Sequence, residues 1–254
     1  MNRFKNCFAT PTKKLALYFT AGFPNHKDTI RIAEECENSG CDIIEIGMPF
    51  SDPLADGPVI QQSSEKALEQ GMTIKVLFQQ LADLRKKVNI PVVLMGYLNP
   101  VMQYGKEAFL KECKAVGVDG LILPDLPTHE FETNWKPQMD ELGLSMTFLV
   151  TPETSEERVK MLDKLSSGFL YLVSSSSTTG GEGKSSFSED YIKRIASYKL
   201  NNPLLVGFGI KDNESFNAAS KHVNGAIVGS AFIKQLEKDA SSQGIKNFVN
   251  HIKN

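Results

Sequence analysis

No stretch of the 254-residue sequence approaches the ~18 consecutive apolar residues that a membrane-spanning helix needs. An excess of one charge is missing as well. The 28 Lys and Arg against 30 Asp and Glu leave a net charge of −2, and the basic residues are scattered. Neither a nucleic-acid surface nor an anionic-membrane surface is therefore expected. The four cysteines, Cys7, Cys36, Cys41 and Cys113, form no CxxC pair and read as reduced thiols. The N-terminal MNRFKNCFATPTKK has no apolar core and no cleavage site, so it does not read as a secretory signal, and a cytoplasmic chain is expected. The four histidines, His26, His129, His222 and His251, lie far apart without metal-ligand spacing, so no metal is expected.

What the chain does have is apolar content, 41 %, organised in eight short runs. They are KLALYFTAG (14–22), DIIEIGMP (42–49), PVVLMGY (91–97), GLILPDLP (120–127), SMTFLVT (145–151), FLYLVSS (169–175), PLLVGFG (203–209) and GAIVGS (225–230). Amphipathic segments separate them; in KDTIRIAEECENSG, Ile30, Ala33 and Cys36 fall near one face and the charges on the other. Gly40, Gly117, Gly143 and Gly225 stand just before strands, where they suit helix C-terminal caps. Continuous apolar strands joined by helices imply a parallel sheet covered on both faces. Eight such units without a composition break predict an α/β fold, a single (β/α)8 TIM barrel over residues 1–254. The stretch from Arg3 to Phe8 predicts an extra N-terminal helix closing the barrel floor. Helical pattern from Val59 to Val88 is too long for one outer helix and is expected to break at Gly71-Met72-Thr73.

In such a barrel, catalytic groups sit at the C-terminal ends of the strands. Glu45 stands there among Ile43, Ile44 and Ile46. An ionised carboxylate in that setting costs several kcal/mol, on the order of magnitude of a buried ion, unless it is paired, solvated or protonated. The other strand cores offer no obvious Lys, Arg or His to pair with it. Left unpaired, its pKa rises, which suits a group that both gives and takes a proton near neutrality. Asp56 has two readings: the entry cap of the helix that Gly57-Pro58 opens, or a second carboxylate whose protonation state differs from that of Glu45. Gly180-Gly181, Gly207-Phe208-Gly209 and Gly229-Ser230 follow the last three strands. They either relieve crowding where strands turn outward or expose backbone N–H groups as a cradle for a phosphate dianion. The SSSSTTGGEG run (174–183) reads as a linker or as a lid over the site. No strand end carries a lysine for a Schiff base, so carbon–carbon cleavage here would lack both iminium and metal as electron sinks.

These residues carry a specific likeness. Through TAGFP (20–24), IIEIGMPFSDPLADGPVIQ (43–61), MGYLNPVMQYG (95–105), LPDLP (123–127), GFGI (207–210) and GAIVGSA (225–231), the chain resembles the tryptophan synthase alpha chain family along nearly its whole length. The resemblance implies retro-aldol cleavage of indole-3-glycerol phosphate to indole and glyceraldehyde 3-phosphate. The electron sink is then the indolenine formed by protonation at indole C3. It implies Glu45 as principal acid and base and Asp56 as partner of the indole N–H. It further implies phosphate contacts at Gly180, Gly209, Gly229 and Ser230, with Tyr171 and Phe208 lining the pocket and Thr179 closing the lid onto the aspartate. A β subunit is the implied partner, in a tetramer of two α and two β chains, with Pro49, Asp52 and Asn99 at the interface. Pyridoxal phosphate would belong to that partner, and no cofactor to this chain. The family's common G-V-T-G lid reads Ser177-Thr178-Thr179-Gly180 here, and the lost glycine stiffens the hinge. Competing readings are a related phosphate-binding barrel, such as indole-3-glycerol phosphate synthase or ribulose-phosphate epimerase, and a non-catalytic barrel that regulates a β subunit. The first two would need a strand-end lysine or metal-binding histidines.

Overall fold

The computed structural model describes residues 3–53, 56–173, 189–207 and 209–254. Its strands are β1 (Lys14–Thr20), β2 (Ile43–Gly47), β3 (Val92–Met95), β4 (Gly120–Ile122), β5 (Ser145–Met146), β6 (Leu149–Val150), β7 (Leu170–Val173), β8 (Leu204–Gly207) and β9 (Gly225–Val228). They form one parallel sheet in the order β5-β4-β3-β2-β1-β9-β8-β7-β6. The two ends of that order are halves of one segment. The Thr147 N–H donates to the Leu121 carbonyl at 3.0 Å, and the Tyr171 N–H donates to the Phe148 carbonyl at 3.0 Å. The fifth apolar run is thus a stave broken at Thr147-Phe148, serving β4 with its first half and β7 with its second. The ring closes through it, and the eight expected staves are present.

Alternation along the staves sorts side chains into two cores. Ala16, Ile43, Val93, Ile122, Phe169, Leu205 and Ile227 fill the inside. Leu15, Leu17, Phe19, Ile44, Ile46, Leu94 and Leu121 face the surrounding helices. The expected floor helix spans Arg3–Cys7, and its Phe4 joins the inner cluster with its ring 5.9 Å from that of Phe169. Asp119, just before β4, ties the floor together. It accepts from Arg3 Nη1 at 2.9 Å, from Arg85 Nη2 at 2.5 Å and from the Val92 N–H at 2.8 Å.

Between β2 and β3 the helical stretch divides as anticipated, into Pro58–Glu69 and Ile74–Gln80. Gly71 turns the chain at φ +87°, and Thr73 Oγ1 caps the second helix by accepting from the Val76 N–H at 3.2 Å. Gly117 and Gly143 are left-handed helix C-caps, and Gly40 has φ +96° just beyond its helix. Gly225 departs from the expected cap role. It is the first residue of β9, where a β carbon would stand 2.7 Å from the Lys14 backbone nitrogen. Close approach of two strands, not helix termination, accounts for that glycine. Among the described residues no helix is long and apolar enough to cross a membrane.

Candidate active site

The register of β1 and β2 places Tyr18 opposite Glu45 and Thr20 opposite Gly47. Ala16 and Ile43 point into the barrel, so Tyr18, Thr20, Glu45 and Gly47, two and four residues on, share that inward face at its C-terminal mouth. Glu45 is fully buried, and neither of its carboxyl oxygens has a hydrogen-bond partner among the described residues. Loss of hydration with nothing to replace it pushes its pKa up to about 8. Near neutrality Glu45 therefore favours its neutral carboxyl form.

Asp56 lies in the loop between β2 and the helix Pro58–Glu69. That helix begins at Gly57 without any side-chain cap, so the capping role open to Asp56 is not the one it takes. Its carboxylate instead accepts from the Tyr97 hydroxyl at 3.2 Å, while its backbone carbonyl accepts from Gln61 Nε2 at 2.8 Å. Burial raises the Asp56 pKa, and the Tyr97 hydrogen bond pulls it back. The two carboxyl groups thus differ in kind: Asp56 has a donor that favours its ionised form, and Glu45 has none. Tyr97 stands at the end of β3 with its ring 5.2 Å from that of Phe50.

Tyr171, on the inward face of β7, completes the cluster. Its phenol is held far above its usual range by burial and by the nearby charges of Glu45 and Asp56, with Tyr18 as a further neighbour. Tyr18 and Tyr171 occupy equivalent places. Each ring lies over a glycine two residues past its cross-strand partner, Gly47 and Gly207 respectively. A β carbon on either glycine would stand 2.6 Å from the tyrosine Cζ. Tyr18 and Tyr97 were not among the site residues anticipated from sequence. A tyrosine in an apolar run reads as core, and only strand register exposes its pairing with a glycine.

At the next corner, β8 and β9 are hydrogen-bonded neighbours. Gly209 leaves β8 with φ +75° and is exposed. Gly229 precedes the helix Ser230–Lys238, whose first N–H groups receive no side-chain cap, and exposed Ser230 opens it. These groups suit an anion. The position of a β carbon on Gly229 is 3.6 Å from Tyr18 Cδ1, so the Tyr18 ring spans from this corner toward Glu45. Pro49 (half-buried) and Asp52 (exposed) lie on the loop after β2, and exposed Asn99 in the first turn of the helix Leu98–Tyr104 after β3, on the rim rather than in the carboxylate cluster. Thr179, Gly180 and Phe208, with the 174–183 run, fall outside the described residues. Among the described residues no group of three or more His, Cys, Asp or Glu could hold a metal ion.

The model of the family described as "Tryptophan synthase alpha chain" matches residues 4–253. The chain belongs to the tryptophan synthase alpha chain family. It is 50 % identical over 253 residues to the tryptophan synthase alpha chain of Flavobacterium psychrophilum, covering 99 % of this chain and 100 % of that one. It is 50 % identical over 256 residues to that of Christiangramia forsetii, covering 100 % and 99 %. Among solved structures it is similar to tryptophan synthase subunit alpha from Legionella pneumophila, with a TM-score of 0.88 at 32 % identity, covering 100 % and 97 % of the two chains. A structure from Aquifex aeolicus superposes with a TM-score of 0.89 at 32 % identity, covering 100 % and 98 %. The family is one of lyases in tryptophan biosynthesis, and its fold is the barrel described above.

Proposed function

We propose that this chain carries out the alpha reaction of its family, cleavage of indole-3-glycerol phosphate to indole and glyceraldehyde 3-phosphate, with Glu45 as the proton carrier and Asp56 as the partner of the ring nitrogen. One observation carries the assignment: of the two carboxyl groups at one barrel mouth, fully buried Glu45 has no hydrogen-bond donor among the described residues, whereas half-buried Asp56 accepts from Tyr97, which supports its ionised form.

The chemistry follows from that difference. Neutral Glu45 gives its proton to indole C3, and the ring becomes an indolenine cation. Ionised Asp56, facing the ring N–H, stabilises the positive charge on nitrogen. The Glu45 carboxylate then takes the proton of the glycerol hydroxyl next to the ring. As that C–O–H becomes a C=O group, the bond between C3 and the glycerol carbon breaks. Its electron pair restores the C2–C3 double bond while the C=N pair returns to nitrogen. Glu45 ends protonated and ready for the next turnover. Gly209, Gly229 and Ser230, with Gly180, hold the phosphate, and Tyr171 and Phe208 line the pocket between. Thr179 closes onto Asp56.

The partner is a β subunit docked on the rim through Pro49, Asp52 and Asn99, in a tetramer of two α and two β chains. Pyridoxal phosphate resides in that subunit, this chain needs no cofactor, and the complex works in the cytoplasm. Indole release from indole-3-glycerol phosphate, measured with the isolated chain and again with a β subunit added, tests the assignment. Release in either case, faster with the β subunit, is expected. Binding of a glycerol phosphate analogue with no release in either case would overturn it.

A further inference from the structure

The hydroxyl that serves Asp56 comes from the first residue of a helix entry. Tyr97 is the N-cap of the helix Leu98–Tyr104, yet its side chain makes no cap hydrogen bond and points instead to Asp56. The cap is supplied from another loop. Asp125, after β4, accepts from the Leu98 N–H with both carboxylate oxygens, at 2.9 and 3.0 Å. An N-cap side chain ordinarily serves the first turn of its own helix. Here Asp125 takes that role, and the tyrosine is left for the site. The peptide that carries the Leu98 N–H is also the one that joins Tyr97 to the helix, so Asp125 holds the backbone from which the ring projects.

The ring itself is held from the loop after β2. The Met48 N–H donates to the Met95 carbonyl at 2.7 Å, and a β carbon on Gly96 would stand 2.7 Å from Met48 Cε. The chain segments leaving β2 and β3 therefore stay in contact beyond the strands. Two residues past Met48, half-buried Phe50 lays its ring 5.2 Å from that of buried Tyr97, tilted by 35°.

We propose that Phe50 and Asp125 are positioning residues that clamp Tyr97: Phe50 fixes its ring and Asp125 its backbone, so that its hydroxyl stays on the Asp56 carboxylate. Phe50 has no donor, and Asp125 is a carboxylate engaged by Leu98, so both act on Asp56 through the tyrosine. The bond they protect has little slack. At 3.2 Å it is already long for an O–H···O contact, and a small swing of the ring breaks it. Glu45 on β2, Tyr18 on β1 and Tyr171 on β7 are the other titratable groups of this mouth, and the variants below leave all three in place.

The inference rests on the role given to Asp56, and two readouts separate them. Titration of the Asp56 carboxyl by NMR on the isolated chain reports the Tyr97 hydrogen bond whether or not Asp56 takes part in the reaction. The acidic limb of kcat for indole release, measured with the β subunit present, reports the reaction. Phe50→Leu and Asp125→Ala, confirmed as folded by circular dichroism, should each raise the Asp56 midpoint by about half a unit and move the acidic limb with it, with kcat near neutrality falling roughly two- to fivefold. Asp125→Asn keeps an acceptor for the Leu98 N–H and should keep the native titration. In a Tyr97→Phe background, neither Phe50→Leu nor Asp125→Ala should move the midpoint further, because the hydroxyl they position is gone. A midpoint left in place by one or both single substitutions, or shifts that add to that of Tyr97→Phe, would overturn the clamp. A midpoint that moves as expected while the acidic limb stays put would uphold the clamp and remove Asp56 from the reaction.

Discussion

The Tyr18 phenol and Gly47 share one volume at the barrel mouth: a β carbon at residue 47 would stand 2.6 Å from Tyr18 Cζ, closer than such atoms approach in folded proteins. Absence of a side chain on β2 is what lets the tyrosine of β1 lie flat against it, beside Glu45. Tyr171 and Gly207 repeat the arrangement on β7 and β8.

Gly47→Ala should therefore displace the ring. We expect a loss of about 1–3 kcal/mol of stability from overpacking, together with a fall in indole release as Tyr18 moves away from Glu45. Adding Tyr18→Phe should not rescue the variant, because the ring carbons, not only the hydroxyl, occupy the space. Urea unfolding and steady-state assays of the single and double variants check this.

Burial of Glu45 has a cost in stability that pH should reveal. Its pKa rises from 4.5 to about 8 on folding. Below pH 4.5 the carboxyl is neutral in both folded and unfolded chains, and the stability linked to its proton is fully present. As pH rises from there to about 8 the unfolded chain ionises first, so stability declines by up to ~1.4 kcal/mol per pH unit. Glu45→Gln should remove that dependence. The variant should melt above the native chain, by a margin that grows between pH 5 and pH 8, on the order of a few kcal/mol at the upper end. Equal margins at both pH values would contradict a buried, neutral Glu45.

Tyr97 gives the opposite sign. Its hydroxyl stabilises ionised Asp56, so Tyr97→Phe should let the Asp56 pKa rise further. The acidic limb of the kcat profile should move to higher pH, with activity near neutrality lower by roughly two- to tenfold. A pH–rate series on the purified variant reads both.

The floor should answer separately from the mouth. Asp119→Ala removes the carboxylate that pairs with Arg3 and Arg85 and leaves the Val92 N–H without its acceptor, although Arg85 keeps its hydrogen bonds to the Gly117, Val88 and Ile90 carbonyls. We expect a loss of about 3 kcal/mol or more, with kcat at 25 °C unchanged because the site lies at the other end of the staves. Denaturant midpoints and kcat on the same preparation distinguish the two effects.

Much of this was legible in the sequence, for identifiable reasons. Staves buried on both faces are apolar at most positions, so the eight runs stand out, and a carboxylate in the middle of one, Glu45, cannot pass as core. The floor helix within Arg3 to Phe8 was readable as the amphipathic stretch before the first strand. Asp56 was not decidable, since Asp-Gly-Pro is equally a helix entry; only the uncapped start at Gly57 and the Tyr97 contact show that its side chain does not cap the helix. The break at Thr147-Phe148 leaves no mark in composition. Tyr18 was hidden for a different reason. Its meaning depends on Gly47, which it meets only through strand register.

The central claim is that one proton, carried by Glu45, drives the cleavage. Single-turnover indole release by Glu45→Gln at pH 7.5, with binding of a glycerol phosphate analogue measured on the same sample, tests it most directly. The account predicts native-like analogue binding and release slowed by at least about 10²–10⁴-fold. Release within tenfold of the native rate, with binding intact, would contradict it.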